Sequence, residues 1–224
     1  MDVLVFLGSV RNSTPPKPAR LGARVARHCV LELESAGHTV TLIDPLDTAN
    51  CESGIFKPQF AYAAGKAPAS LDKLAAQIKR ADAYVMVSPE YNHSMSPALA
   101  DLLNHFGSSL FSYKPSLIVT YSAGQWGGAR AAVSMRAFLS ELGCLPVSAM
   151  VHIPKAQEVF APDGRFLEGQ DAASWEGFIG RGFSQLAWWA EATRLHRAQQ
   201  NPEAMAAPFK TAPSQRNAGK TTLK

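Results

Sequence analysis

Val3-Leu4-Val5-Phe6-Leu7-Gly8-Ser9-Val10-Arg11 opens the chain with five apolar residues that run straight into a glycine turn, and a helical pattern follows from about residue 20. A strand that stops at such a turn and feeds a helix aims backbone N–H groups and the positive end of the helix dipole at one spot, which suits a phosphate. Ser9 and Arg11 add a hydroxyl donor and a forked cation to that cradle, a pairing suited to charge-assisted hydrogen bonds with a terminal phosphate group. The same turn discriminates among folds. A dinucleotide-binding unit requires G-x-G-x-x-G at this point, and the second glycine is missing in register. A receiver-type domain would carry acidic residues at the end of this strand, where Gly8 and Ser9 stand.

Downstream, strands and helices alternate. Leu21, Val25, Cys29 and Leu33 form an apolar stripe at helical spacing, with Arg20, Arg24 and Arg27 together on another face, of which Arg24 and Arg27 read as solvated. The spacing predicts a helix over 20–36 stopped by Gly37, then a strand over 38–44. Residues 45–68 read as irregular. Ser70 is the expected N-cap of a helix to about Arg80, and Ala83 to Ser88 is an apolar run of the kind buried on both faces. Ser96-Pro97 predicts a capped helix to about Phe106 closed by Gly107. A strand at 116–121, a helix at 127–142 ending at Gly143, a strand at 147–153 and a long helix at 172–199 complete the pattern. In that last helix the Trp188-Trp189 pair reads as core or subunit interface.

Five strands joined by helix-length connections make a parallel sheet covered on both faces. The winding that remains is flavodoxin-like, a three-layer α/β/α sandwich with strand order 2-1-3-4-5 and a ligand crevice between strands one and three. The loop after strand three, Ser88-Pro89-Glu90-Tyr91-Asn92-His93-Ser94-Met95-Ser96-Pro97, sets an aromatic, an amide and a carboxylate between prolines that stiffen its ends. The loop after strand four, Tyr121-Ser122-Ala123-Gly124-Gln125-Trp126-Gly127-Gly128, supplies three glycines for close backbone approach. Both loops belong to the crevice.

Composition narrows the partners. The chain has 224 residues, of which 46% are hydrophobic, enough for one domain with a full core. Of its +4 net charge, residues 1–30 carry all the surplus, with five basic residues against one acid, while the remainder carries 17 of each sign. Charge therefore gathers at the cradle and makes no basic stripe interleaved with aromatics, so no nucleic-acid partner is expected. Cys29, Cys51 and Cys144 stand far apart without a CxxC pair, and neither a disulfide framework nor a metal site is expected. With a strand from residue 3 and no apolar stretch near the roughly 20 residues of a membrane span, the expectation is a cytoplasmic protein that does not engage a membrane. From Asn201 onward the sequence loses periodicity, and residues 200–224 read as a disordered tail.

The three loops together resemble the NAD(P)H-dependent FMN reductases, a flavodoxin-like family that includes quinone and azo-dye reductases. The resemblance rests on GSVR at 8–11, PEYNHSMSPALADLLNHF at 89–106 and SAGQWGGARA at 122–131, and it implies one domain over residues 1–199. It implies that Ser9 and Arg11 bind the FMN phosphate. Pro89, Glu90, Tyr91 and Asn92 would form the loop beside the isoalloxazine and ribityl chain, with Ser122, Gly124, Gln125 and Gly127 on the other edge. Backbone amides of Gly124 to Gly128 are the candidate donors to the edge of the flavin where negative charge grows. Hydride would come from NADPH, or NADH, and leave by a ping-pong sequence for a quinone, an azo compound or free flavin, with no catalytic side chain required and Glu90 organising its loop rather than acting as a base. A homodimer or homotetramer is implied. In one respect the chain departs from the family: Asn12 to Ala19, with Pro15, Pro16 and Pro18, reads as an insertion. Ser13, Thr14 and Arg20 are then candidates to complete the phosphate site. A flavodoxin-like electron carrier or regulatory protein shares the fold and is the alternative reading.

Overall fold

The computed structural model describes residues 1–11, 20–47 and 56–202. The Asn12–Ala19 insertion with Ser13 and Thr14, Cys51, and the tail from residue 203 lie outside the described residues. Strands β1 (Asp2–Leu7), β2 (Thr39–Ile43), β3 (Ala83–Pro89), β4 (Pro115–Tyr121) and β5 (Leu145–Ile153) form one parallel sheet of order β2-β1-β3-β4-β5. This is the flavodoxin-like winding expected from the first turn.

Side-chain alternation along the strands divides the core in two. Val3, Val5, Leu7, Val85, Val87, Leu117 and Val119 point to one face, where they pack with Val25, Ala26 and Cys29 of α1 (Leu21–Ser35) and with Ile179, Phe183, Leu186 and Ala190 of α6 (Ala172–Gln199). Leu4, Phe6, Tyr84, Met86 and Ile118 point to the other, where they meet α2 (Ala69–Arg80), α3 (Pro97–Asn104) and α4 (Ala129–Glu141). Burying one such side chain stabilises the fold by roughly 1.5–3 kcal/mol. A short α5 (Ala156–Val159) follows β5. Among the described residues no helix is long and apolar enough to cross a membrane.

Several boundaries differ from expectation for local reasons. Pro68 rather than Ser70 is the N-cap of α2, so Ser70 lies inside the helix with its hydroxyl unpartnered. Helix α3 ends at Asn104, and Gly107, at φ −73°, starts a separate 3-10 turn over Ser108–Leu110 instead of closing α3. Helix α4 starts at Ala129 because Gly127 and Gly128 both take positive φ in the turn before it. β5 begins two residues early, at Leu145, and is bulged where Val147 to Ala149 lie opposite Leu117. The backbone freed by the bulge is met by side chains: Arg136 of α4 donates to the carbonyls of Val147 and Ser148, and Ala149 N–H donates to Gln185 of α6. Trp188 and Trp189 are 63% and 44% exposed, which removes them from the core.

Candidate active site

Strands β1, β3 and β4 end side by side, and the loops that leave them enclose a cavity of about 500 Å³. Ser9, Arg11, Pro89, Glu90, Tyr91 and Ser122 line it, together with Arg20, Leu21, Tyr121 and Ala123. Six of the ten residues named from sequence are thus brought together. Asn92, Gly124, Gln125 and Gly127 lie in the same loops but not on the cavity wall.

The first turn is set by close packing. Gly8 N–H donates to Val87 O across to β3, and a Cβ at Gly8 would fall 2.8–2.9 Å from Val87 O, Leu99 Cβ and Ser96 Oγ. Any larger residue there would force a neighbour to shift. Ser9, next along, is buried, and its hydroxyl faces the phenol of Tyr121. Burial pushes the Tyr121 pKa up to about 12 against the Ser9 hydroxyl and the cations of Arg20 and Arg11, so the phenol stays protonated. Gly22, in the first turn of α1, makes room for it, since a Cβ there would collide with the Tyr121 oxygen.

Arg20 is the N-cap residue of α1, in a left-handed conformation, and offers no side-chain cap to the first-turn amides. Its guanidinium instead grips Asp44, at the end of β2, with Nη1 and Nη2 at 2.6 and 2.7 Å from the two carboxylate oxygens, and also donates to Ser9 O. Arg11 has no carboxylate partner among the described residues and is exposed at the mouth. Arg24 and Arg27, expected on a solvated face, donate to Phe160 O and Pro162 O and pin the turn after α5 onto α1.

The β3 loop is built on hydrogen bonds of its own. Ser96 caps α3 by accepting from Leu99 N–H while its hydroxyl donates to Gly8 O, so one side chain ties the β3 loop to the β1 turn. Tyr91 and Ser94 exchange both backbone hydrogen bonds around Asn92 and His93, which sit at φ 49° and 61° in a tight turn. Glu90 accepts from Arg130 Nε at 2.8 Å and from the amides of Arg130 and Ala131 at 3.2 and 3.4 Å, so both oxygens serve the first turn of α4.

In the β4 loop, the Ser122 hydroxyl accepts from Gly127 N–H and donates to Gly124 O. Gly127 is thereby removed from the expected set of free donors. The loop is held from outside by Lys155 N–H to Gly124 O and Gln157 Nε2 to Ala123 O. The exposed amides of Ala123, Gly124 and Gln125 donate to nothing among the described residues. Tyr121, Asp44 and Gly22 escaped the sequence reading. Only Tyr121 carried a signal, as a polar aromatic closing an apolar strand.

A doubly wound sheet with a cavity at the reversal of its winding, edged by a hydroxyl, a cation and free amides, defines a flavodoxin-like, mononucleotide-type α/β protein. The profile of the NADPH-dependent FMN reductases matches residues 1–158, and the chain belongs to that family. It is 37% identical over 111 residues to an NAD(P)H-dependent FMN reductase of Pseudomonas aeruginosa, a match covering 48% of this chain and 60% of that protein. It is 41% identical over 75 residues to a quinone reductase of Escherichia coli, covering 32% and 40%. The matched segments thus span about half the length of these relatives. The FerB flavoenzyme NAD(P)H:(acceptor) oxidoreductase of Paracoccus denitrificans superposes with a TM-score of 0.61 at 20% identity, over 83% of this chain and 97% of that one, a likeness of fold.

Proposed function

We propose that this chain is an FMN-dependent reductase that takes hydride from NADPH or NADH and delivers electrons to a small acceptor, a quinone, an azo compound or free flavin, the two substrates using one site in turn. The observation that carries this reading is the convergence of Ser9, Arg11, Pro89, Glu90, Tyr91 and Ser122 on one cavity at the carboxyl ends of β1, β3 and β4. Its volume lies in the range of small-molecule sites. Arg11 and the Ser9 hydroxyl supply a cation and a donor for a phosphate, and Arg20, balanced by Asp44, fixes the wall beside them. These residues fit a flavin mononucleotide.

Bound there, FMN would supply the hydride-accepting and electron-passing chemistry. The chain's own work is to bind and orient. Ser9 and Arg11 hold the anionic end, Pro89 and Tyr91 give an apolar wall, and the free amide of Ala123 on that wall, with those of Gly124 and Gln125 next to it in the loop, offers donors where negative charge develops. Glu90, with both oxygens engaged by α4, organises its loop and is not a proton acceptor. A homodimer or homotetramer in the cytoplasm belongs to the same proposal.

The purified protein should be yellow or take up FMN at micromolar concentration, bleach anaerobically with NADPH, and recover its colour on addition of a quinone. A colourless protein that takes up no FMN overturns the reading. Binding of FMN without NAD(P)H oxidation would make it an electron carrier instead.

A further inference from the structure

At the rim of the cavity stands an arrangement that the cofactor-binding residues do not explain. Trp126 is 65% exposed in the β4 loop, and the Arg130 guanidinium lies over its ring with Cζ 5.8 Å from the centroid. The Arg130 side chain is 51% exposed but tethered through Nε to Glu90, itself on the cavity wall. Its two Nη groups have no partner among the described residues. The pair covers no core, so packing does not account for it. The loop below it is fixed by Lys155 and Gln157, which makes the surface pre-organised.

An exposed indole beside a guanidinium whose Nη groups are free among the described residues suits one chemical class, a planar aromatic ring carrying an oxyanion. Glu90 offsets part of the Arg130 charge, but its oxygens serve Nε and the α4 amides, so the Nη donors stay available. Arg11, also on the cavity wall, is taken by the phosphate role. We infer that Trp126 and Arg130 form a binding platform for flat aromatic anions and bias the enzyme toward acceptors that carry a sulfonate or carboxylate. This rests on the reductase reading above.

The test compares 1,4-naphthoquinone with 1,4-naphthoquinone-2-sulfonate as acceptors for the FMN-loaded protein with NADPH. It adds calorimetric titration of naphthalene-2-sulfonate, which binds without turnover. In Arg130→Gln the ratio of KM for the sulfonate to KM for the neutral quinone should rise roughly tenfold, the scale of one charge-assisted hydrogen bond. Binding of naphthalene-2-sulfonate should weaken by a similar factor, with partial rescue in Arg130→Lys. Trp126→Ala should weaken naphthalene-2-sulfonate binding and raise KM for both quinones. An unchanged ratio with unchanged sulfonate binding overturns the inference, as does an effect confined to the KM for NADPH. Failure of the wild type to oxidise NADPH, with sulfonate still bound and weakened by Arg130→Gln, would sink the reductase reading and leave the platform standing. Turnover of quinones without sulfonate binding would do the reverse.

Discussion

Arg20 and Asp44, 24 residues apart in sequence, meet through two hydrogen bonds of 2.6 and 2.7 Å with side chains only 15% and 12% exposed. The pair joins the start of α1 to the end of β2 and, through Ser9 O, to the β1 turn. Burial works against the Asp44 charge. The hydrogen bonds from Arg20 and Leu46 N–H and the attraction of Arg20 and Arg27 outweigh it, and its pKa is lowered.

Asp44→Asn should therefore lower the unfolding free energy by about 2 kcal/mol at pH 7, since a largely buried guanidinium loses its charged acceptor. A carboxylate with a lowered pKa stabilises the fold fully above its unfolded value of about 3.9 and loses that contribution as the pH falls through the folded value. Urea titrations of wild type and variant should accordingly stay apart down to about pH 4 and begin to converge only below it. A gap that persists in acid would mean that the charge of Asp44 is not what Arg20 needs.

The balance between Arg20 and Asp44 leaves Arg11 as the cavity cation without a carboxylate partner among the described residues. Arg11→Gln should weaken FMN binding by roughly 10- to 100-fold, the worth of a charged hydrogen bond to phosphate. Riboflavin, which lacks the phosphate, should bind both proteins alike. Flavin fluorescence titrations measure the two constants, and equal losses for both flavins would place the phosphate elsewhere.

The winding was legible because it is written locally: each strand is an apolar run, and a missing second glycine after β1 excluded the dinucleotide turn. The cap at Ser96 was legible for the same reason, as a hydroxyl followed by proline. What stayed hidden joins residues remote in sequence. Glu90 and Arg130 lie 40 residues apart, and Ser9 meets Tyr121 only because β1 and β4 both flank β3. One of the expected donors of the β4 loop, the Gly127 amide, is taken for a subtler reason. Glycine signals a permissive backbone, but it does not say which amide a neighbouring hydroxyl will take, and Ser122 takes that of Gly127.

Gly8 is fixed by space rather than by its backbone angle. A methyl group there meets Val87 O at 2.8 Å and Leu99 Cβ and Ser96 Oγ at 2.9 Å, two of them rigid backbone or Cβ positions. Gly8→Ala should cost about 1–3 kcal/mol of stability, the usual range for overpacking. It should also weaken FMN binding, because relief requires the β1 turn to move away from the Ser96 cap. Chemical denaturation and flavin titration check the two parts. A variant as stable as wild type would show that α3 shifts freely.

The end of the sheet remote from the cavity holds Lys114, buried just before β4, with its ammonium donating to Ile78 O and Lys79 O at 2.7 Å and to Leu110 O at 3.1 Å. The single proton of the Tyr84 hydroxyl lies between two of the same carbonyls, 2.9 Å from Ile78 O and 3.2 Å from Leu110 O, so the last turn of α2 is held by Lys114 and Tyr84 together. Burial, reinforced by the charge of Arg197, pulls the Lys114 pKa down to about 7, with Asp82 opposing. The unfolded chain, with its lysine near 10.4, then binds more protons than the folded one between these values, so this group makes stability rise with pH from about 7 to about 10. Lys114→Met removes the titration together with the donors. The stability difference between wild type and variant, measured by urea denaturation, should grow in favour of wild type across that window. A difference that does not change with pH would mean that the three carbonyls hold the ammonium charged in the fold, at its ordinary pKa.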